Sequence, residues 1–323
     1  MKVLFVCSGN YAHGISPIIQ SQAESLTASG ISVEYYLIQG SGAKGYLKNV
    51  LPLKRMIERN EFNIIHAHYG FSAWLARLAN SNIPLVVSLM GSDAYGDFDS
   101  KGNIKKGSFL LIYSAKIIAH YCDAMIVKSN NIADKVSKRI DPYIIANGVN
   151  IDLFKPFDKG KARNILGLEN EEHHLLFLGD KNNERKNISL MKEALKYLKD
   201  VRINIMNPYP VEHEKVPTYI NASDALLLTS TNEGSPNAIK EAMACNCPVV
   251  STNVGDVEWL LGNLDGHYTT SFSPDDVASQ IRIALEFAKT RGKTEGRKRI
   301  IELGLDSKSV AKEIISVYEK VVK

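Results

Sequence analysis

A chain of 323 residues with 45% apolar and 23% charged side chains is neither disordered nor fibrous in composition, and no stretch reaches the ~18 consecutive apolar residues of a membrane span. Its length predicts about two domains, each able to bury a core without a disulfide or metal staple. The net charge is +4, but residues 1–155 hold 16 Lys/Arg against 11 Asp/Glu (+5) while residues 156–323 hold 23 against 24 (−1). The first half is therefore expected either to meet something anionic or simply to carry a solvated basic surface. Basic residues are not interleaved with aromatics as in a nucleic-acid reader, so no nucleic-acid partner is expected.

The chain opens with one Lys and five apolar residues before Ser8, too short for a signal-peptide core, and reads as a first strand over 3–7. Further strands are predicted over 33–38, 63–66, 85–89, 124–127 and 143–146. Helical stretches fall between them at about 15–29, 46–59, 71–80, 107–121 and 130–138. Apolar strands alternating with helices predict a parallel sheet covered on both faces. The pattern breaks over 148–157 and restarts, with strands over 175–178, 202–206, 225–229 and 248–252. Helices follow at about 187–199, 217–222, 236–245, 257–261, 274–289 and 307–322. The fold class is α/β, with two doubly wound Rossmann-like domains facing across a cleft. The first spans 1–155 and the second 156–306, with a terminal helix over about 307–323 packing back on the first. Cys7, Cys122, Cys245 and Cys247 give neither a disulfide framework nor a zinc pattern. They read as reduced thiols of a cytoplasmic protein.

The segment from Asp224 to Ala244 carries the most chemistry. A buried strand over 225–229 leads into a loop, Thr231–Gly234. Ser235 is suited to cap a helix and Pro236 to occupy its first position. The first-turn N–H groups and the positive dipole end then offer an anion site. Glu233 stands just before this helix. Glu241 stands six residues past the cap, roughly 8–9 Å along the axis at ~1.5 Å per residue. That spacing suits a ligand with a phosphate at the helix start and ribose hydroxyls further on. Solvated acids decorating a helix end are the plainer alternative.

Glu233-Gly-Ser-Pro-Asn-Ala-Ile-Lys-Glu241 is an E-x7-E element, with Asp224 upstream and Ala242–Gly255 downstream. It resembles the signature of glycosyltransferase family 4, whose members are retaining enzymes of GT-B fold that use nucleotide-sugar donors, usually without a metal. Asn147–Pro156 resembles that family's interdomain linker, Asn63–His68 its fourth-strand motif and Val86–Asp93 its acceptor-side loop. His13-Gly14-Ile15 resembles its first glycine loop.

The resemblance implies that Glu241 binds the nucleotide ribose and Glu233 the hydroxyls of the donor sugar. It implies that the backbone of Gly234, Ser235, Pro236 and Asn237 holds the distal phosphate and sugar. Lys186 matches the lysine that neutralises the diphosphate leaving group. Gly14 lets the first loop approach that diphosphate. Two residues depart from the pattern. Asp180 stands where the family usually has Arg, and Lys181 or Arg185 is a candidate to restore the charge. Met90 stands where the family often has His, and Met offers no strong donor and no proton shuttle. His13, His66 and His68 are the nearby imidazoles, and a lone His near a strand end is more often structural.

The resemblance further implies front-face displacement, in which the departing phosphate helps take the acceptor proton. Catalytic candidates are thus Glu233, Lys186 and Asp93, the last to orient an acceptor hydroxyl. His13, Met90 and His68 are acceptor-side candidates, among the loops at 9–14, 40–45 and 91–99. No metal or other cofactor is expected. A uridine diphosphate sugar is the expected donor, and a glycan or lipid-linked acceptor of a bacterial cell surface the expected partner. The basic amphipathic stretch Leu47–Arg59 is a candidate for peripheral contact with the inner membrane face, the alternative being a packed helix with a solvated outer side. Two other readings stay open: a catalytically weak nucleotide-sugar-binding subunit, motivated by Met90 and Asp180, and a nucleotide-sugar epimerase. A nicotinamide dehydrogenase is disfavoured because Ser8–Gly14 lacks G-x-G-x-x-G.

Overall fold

The computed structural model describes residues 1–11, 14–80, 82–96, 104–136 and 139–322, with Ala43 described by its backbone alone. His13, the predicted acceptor loop beyond residue 96 and the end of the helix predicted over 130–138 lie outside the described residues.

The chain forms two compact units. The first contains the described residues of Met1–Asp97, Ile104–Gly148 and Ser307–Lys323, and the second contains Val149–Asp306. The junction precedes the expected 155/156 boundary for a physical reason. Phe154 is buried, and the Arg297 guanidinium donates to the carbonyls of Ile151 and Phe154, so the segment after Gly148 is tied into the second unit.

The first unit holds six strands: β1 (Lys2–Ser8), β2 (Ser32–Ile38), β3 (Ile64–His68), β4 (Leu85–Ser88), β5 (Ala124–Val127) and β6 (Tyr143–Ile144). All pairs are parallel, in the order β2-β1-β3-β4-β5-β6. Its central strands are apolar and buried along their length, as a sheet covered on both faces requires. Val3 and Phe5 of β1 pack with Leu26 of the Pro17–Ala28 helix and with Ile314, Val317 and Tyr318 of the Ser307–Val321 helix.

The second unit holds β7 (His173–Leu176), β8 (Ile203–Met206), β9 (Ala225–Leu228), β10 (Val249–Thr252) and β11 (His267–Thr270), parallel in the order β11-β10-β9-β7-β8. Strand β11 and the Lys159–Leu166 and Gly296–Glu302 helices were not predicted. His267–Thr270 is a short, polar edge strand without the apolar run that marked the others. The helix predicted over 46–59 is two, Gly42–Leu47 and Val50–Glu58, separated at Lys48-Asn49. There the Asn49 side chain bonds the carbonyls of Gln39 and Gly45.

Both sheets are doubly wound. After β2 the chain crosses β1 to lay down β3, and after β8 it crosses β7 to lay down β9. The β1/β3 and β7/β9 pairs are therefore the switch points, where loops at the carboxyl ends of neighbouring strands diverge and leave a crevice. Among the described residues no helix is long and apolar enough to cross a membrane.

Candidate functional site

The loops at the β7/β9 switch point assemble the residues that the sequence had singled out. After β7, residues Glu184–Lys186 form one 3-10 turn. The β9 loop is knitted to it. Thr231 N–H donates to the Arg185 carbonyl at 2.9 Å, and the Thr229 hydroxyl donates to the Lys186 carbonyl at 2.9 Å and the Asn187 carbonyl at 3.1 Å. This brings Lys186 Nζ to 2.7 Å from Glu233 Oε1 and Arg185 Nη1 to 3.3 Å from Glu233 Oε2. The Ser230 hydroxyl donates to Glu233 Oε1 at 2.9 Å.

Glu233 is 7% exposed. Burial pushes its carboxyl up, but the Lys186 and Arg185 charges, with hydrogen bonds from Lys186 and Ser230, outweigh burial and hold it below the ordinary range. It is ionised at neutral pH. Of the two candidates to replace the cation missing at Asp180, Arg185 reaches Glu233. Lys181 stands exposed, and the Asp180 carboxylate accepts the Asn182 N–H within its own turn. The Lys186 stem lies across Gly179, where a Cβ would meet its Cγ, Cδ and Cε at 3.1–3.2 Å.

The helix after the loop runs Asn237–Ala244. Its cap differs from the expectation. Pro236 is extended (φ −70°, ψ 116°) and is the N-cap residue, and Ser235 makes no capping bond. The Ser235 hydroxyl instead meets the Lys240 ammonium at 3.2 Å. The first-turn N–H groups thus have no side-chain cap and no intrahelical partner, as an anion site at a helix start requires. Glu241 follows Pro236 by five residues, roughly 7.5 Å along the axis. Its Oε1 lies 2.9 Å from His213 Nε2, and the His213 ring tilts against Phe154 at 5.1 Å between centroids.

Four supporting residues were not singled out from the sequence: His213, Lys240, Asp256 and Gly255. Lys240 is 1% exposed beneath the loop; burial lowers its ammonium to about 8, opposed by the Asp256 and Glu241 charges. Asp256 is raised to about 6 by burial, opposed by Lys240, and its N–H donates to the Gly234 carbonyl at 3.1 Å. Gly255 (φ +63°) lets that strand-end loop approach: a Cβ there would lie 2.4 Å from the Gly234 oxygen. The legible signal for Lys240 was a lysine on the apolar side of the helix, in step with Ala244. His213 had none, because its contact joins segments 28 residues apart. Asp224 is a strut rather than a ligand group. It is buried and accepts from Arg163 and Lys159, each at 2.9 Å, and from His174 N–H at 2.8 Å.

In the first unit the described candidates fall within β3 and on the segments that follow β1 and β4. Asp93 is fully buried and its carboxylate accepts three backbone N–H groups: Met90 and Gly91 at 2.9 Å on Oδ1 and Gly70 at 3.2 Å on Oδ2. Burial raises it to about 6 against those bonds. It locks the β4 loop to the start of the Gly70–Ala79 helix and does not present an exposed carboxylate. Tyr69, just before Gly70, holds a left-handed φ of 87°, a strained position for a bulky residue.

His66 is structural, bonded to the Tyr318 hydroxyl at 2.6 Å and the Ser88 hydroxyl at 2.8 Å. His68 is 1% exposed, stacked on His66 at 4.3 Å, and lowered to about 3 by burial and then by the Lys128 charge. The expectation of an acceptor-side imidazole there fails because β3 buries it. Met90 is half-buried at the loop that Asp93 organises. Gly14 has φ +82°, and among the described residues outside its chain neighbours no atom lies within 4 Å of a Cβ built on it. Its backbone conformation, rather than crowding within the chain, is what asks for glycine. All four cysteines are free thiols. Among the described residues no group of three or more His, Cys, Asp and Glu is placed to hold a metal.

With this geometry in hand, comparison with known proteins is specific. Residues 19–153 match the family described as Glycosyltransferase Family 4, and residues 162–286 match Glycosyl transferases group 1. The D-inositol 3-phosphate glycosyltransferase of Streptosporangium roseum is 23% identical over 282 residues, covering 72% of this chain and 64% of the relative. The UDP-Gal:alpha-D-GlcNAc-diphosphoundecaprenol alpha-1,3-galactosyltransferase of Escherichia coli is 23% identical over 256 residues, covering 67% and 64%. The chain thus spans less than two thirds of the length of these curated relatives. The solved sucrose-phosphate synthase of Thermosynechococcus elongatus superimposes with a TM-score of 0.78 at 20% identity, over 99% of this chain and 98% of that one. That likeness gives the fold, GT-B.

Proposed function

The chain belongs to the family 4 glycosyltransferases, and on that premise we propose that it moves a sugar, with retention of anomeric configuration, from a nucleoside diphosphate donor to a glycan or lipid-linked acceptor. The observation that carries this reading is the cluster of Lys186, Arg185 and Glu233 at the uncapped start of the Asn237–Ala244 helix, with Glu241 farther along that helix. Uridine is the proposed base. The E. coli relative is named for a UDP-sugar donor and a diphosphoundecaprenol-linked acceptor, and a cell-surface glycan is the proposed destination here.

In this reading the distal phosphate rests on the N–H groups at the helix start and Glu241 accepts from the ribose hydroxyls. An ammonium has three N–H donors, and Lys186 spends one on Glu233. The others serve the diphosphate, while the second Glu233 oxygen serves the sugar hydroxyls. As the bond from C1 to the phosphate oxygen breaks, negative charge gathers on that oxygen, and the preorganised Lys186 cation stabilises it. The acceptor oxygen bonds to C1 on the same face, and its proton passes to the departing phosphate. No side-chain base is required, which accommodates Met90. We assign the acceptor to the first unit, with Asp93 a positioning residue for the Met90–Gly91 turn. The diphosphate charge is met by side-chain and backbone donors, so chelation by EDTA should leave turnover unchanged. The proposed place of work is the cytoplasm, at the inner membrane face.

The test is an NMR time course with a panel of nucleotide sugars and a membrane extract as the acceptor source. A product that keeps the donor's anomeric configuration is expected. An inverted product would contradict the mechanism, and donor conversion without any acceptor would favour an epimerase.

A further inference from the structure

Among the described residues of the first unit, the most exposed large apolar side chains, led by Leu110, cluster on the Ser108–Ile118 helix. Its inner face is spent on the core through Leu111, Ala115 and Ile118. It is also pinned by the Trp74 indole N–H, which donates to the Ser114 carbonyl at 3.1 Å. The outer face is nonetheless apolar. Leu110 is 72% exposed, Tyr113 65%, Phe109 53% and Ile117 46%. At 100° per residue these four side chains fall within about one third of the helix circumference. Tyr121, just beyond the helix, is exposed as well.

Charge complementarity names the occupant. Lys105, Lys106 and Lys116 are exposed along the same side, and residues 104–122 contain no Asp or Glu. A protein partner with an apolar hot spot would not require a border of one sign. An apolar ridge with aromatics, in a segment whose charged side chains are all lysines, is the pattern of a surface that seats in the headgroup layer of an anionic bilayer. The other basic helix does not match. Val50–Glu58 turns Leu53 and Ile57 inward, and Lys54 is partnered by Glu58 at 3.9 Å on its outer side.

We propose that the outer face of the Ser108–Ile118 helix docks the first unit on an anionic lipid surface. This replaces the Leu47–Arg59 stretch as the contact, and it rests on the reading that the protein works at a membrane. Phe109, Leu110 and Tyr113 enter the headgroup boundary while Lys105, Lys106 and Lys116 meet lipid phosphates.

The test is flotation of the full chain with phosphatidylglycerol vesicles and with phosphatidylcholine vesicles. Wild type should float with the first and not the second. L110S/Y113S should lose at least ten-fold in partition with its melting temperature unchanged, because both side chains already face solvent. Each single variant K106Q and K116Q should lose about five-fold, and L51S/K54Q should bind as wild type. If L110S/Y113S floats like wild type while L51S/K54Q does not, this face is wrong and membrane contact survives. If wild type floats with neither vesicle, both readings fall. If wild type is a dimer by light scattering and L110S/Y113S a monomer, the face is an interface between copies and the lipid proposal is overturned.

Discussion

Glu233 and Asp93 occupy comparable places, each shortly after a short, buried, parallel strand, Asp93 in the helical turn Ser92–Tyr95, and each almost or wholly removed from water. Their surroundings separate them. Glu233 faces two cations and stays ionised below its ordinary range, whereas the partners of Asp93 among the described residues are backbone N–H groups and it is lifted to about 6. Glu233 with its two cations stays charged and can reorganise around a ligand's own charge. A buried carboxylate with only amide partners is a clasp for the chain. Burial is shared; the counter-charge sets whether each carboxyl is held below or above its ordinary range.

The sharpest way to break that comparison is a third carboxylate, Asp224, which also has cations but belongs to the frame. Asp224→Ala strands the buried Arg163 guanidinium and should lower unfolding free energy by about 3–5 kcal/mol in urea titrations. Turnover per folded molecule should be unchanged. Lys186→Ala, by contrast, should leave stability nearly intact and reduce kcat by roughly 10²–10³. A rate near wild type would remove Lys186 from the leaving-group role.

Asp93 gives a pH signature of opposite sign to that of Glu233. Its folded value of about 6 lies above the ordinary 3.8, so the folded state holds the proton more tightly. Its contribution is complete below about pH 4 and is lost as pH rises through 6, on the order of 3 kcal/mol. Asp256 is raised into the same range, so the readout is a difference. Denaturation of Asp93→Asn between pH 4 and 7 should show a shallower fall than wild type, and parallel curves would contradict the assignment. The smaller effect concerns Lys240 and Asp256 beneath the Glu233 loop. A double-mutant cycle with Lys240→Met and Asp256→Asn should give a coupling of about 0.5–3 kcal/mol in stability.

The strands and their alternation with helices were legible because parallel, doubly covered strands are near-continuous apolar runs. Glu233, Glu241 and Lys186 were legible because their spacing and neighbours carry a dense family pattern. What escaped was fixed by three-dimensional pairing. Strand order, and hence the β7/β9 switch point that brings Lys186 to Glu233, is not encoded in any local period. Pro236 rather than Ser235 caps the helix, and the Ser235 hydroxyl instead accepts from the buried Lys240 five residues on. His68 looked available at a strand end, yet β3 runs on through it to bury the ring against Phe5 at 4.5 Å. The Ser108–Ile118 helix was passed over for Leu47–Arg59 because charge is visible in sequence and exposure of an apolar face is not.

The central claim is that the second unit binds a nucleoside diphosphate through the 233–241 element. Thermal unfolding with uridine, guanosine and adenosine diphosphates, on wild type and Glu241→Ala, tests it most directly. A diphosphate at about 100 times its Kd adds roughly 2.7 kcal/mol, several degrees in Tm for a protein of this size. One base should stabilise wild type by that amount and leave Glu241→Ala unmoved. Equal shifts in both proteins, or none with any base, would contradict the claim.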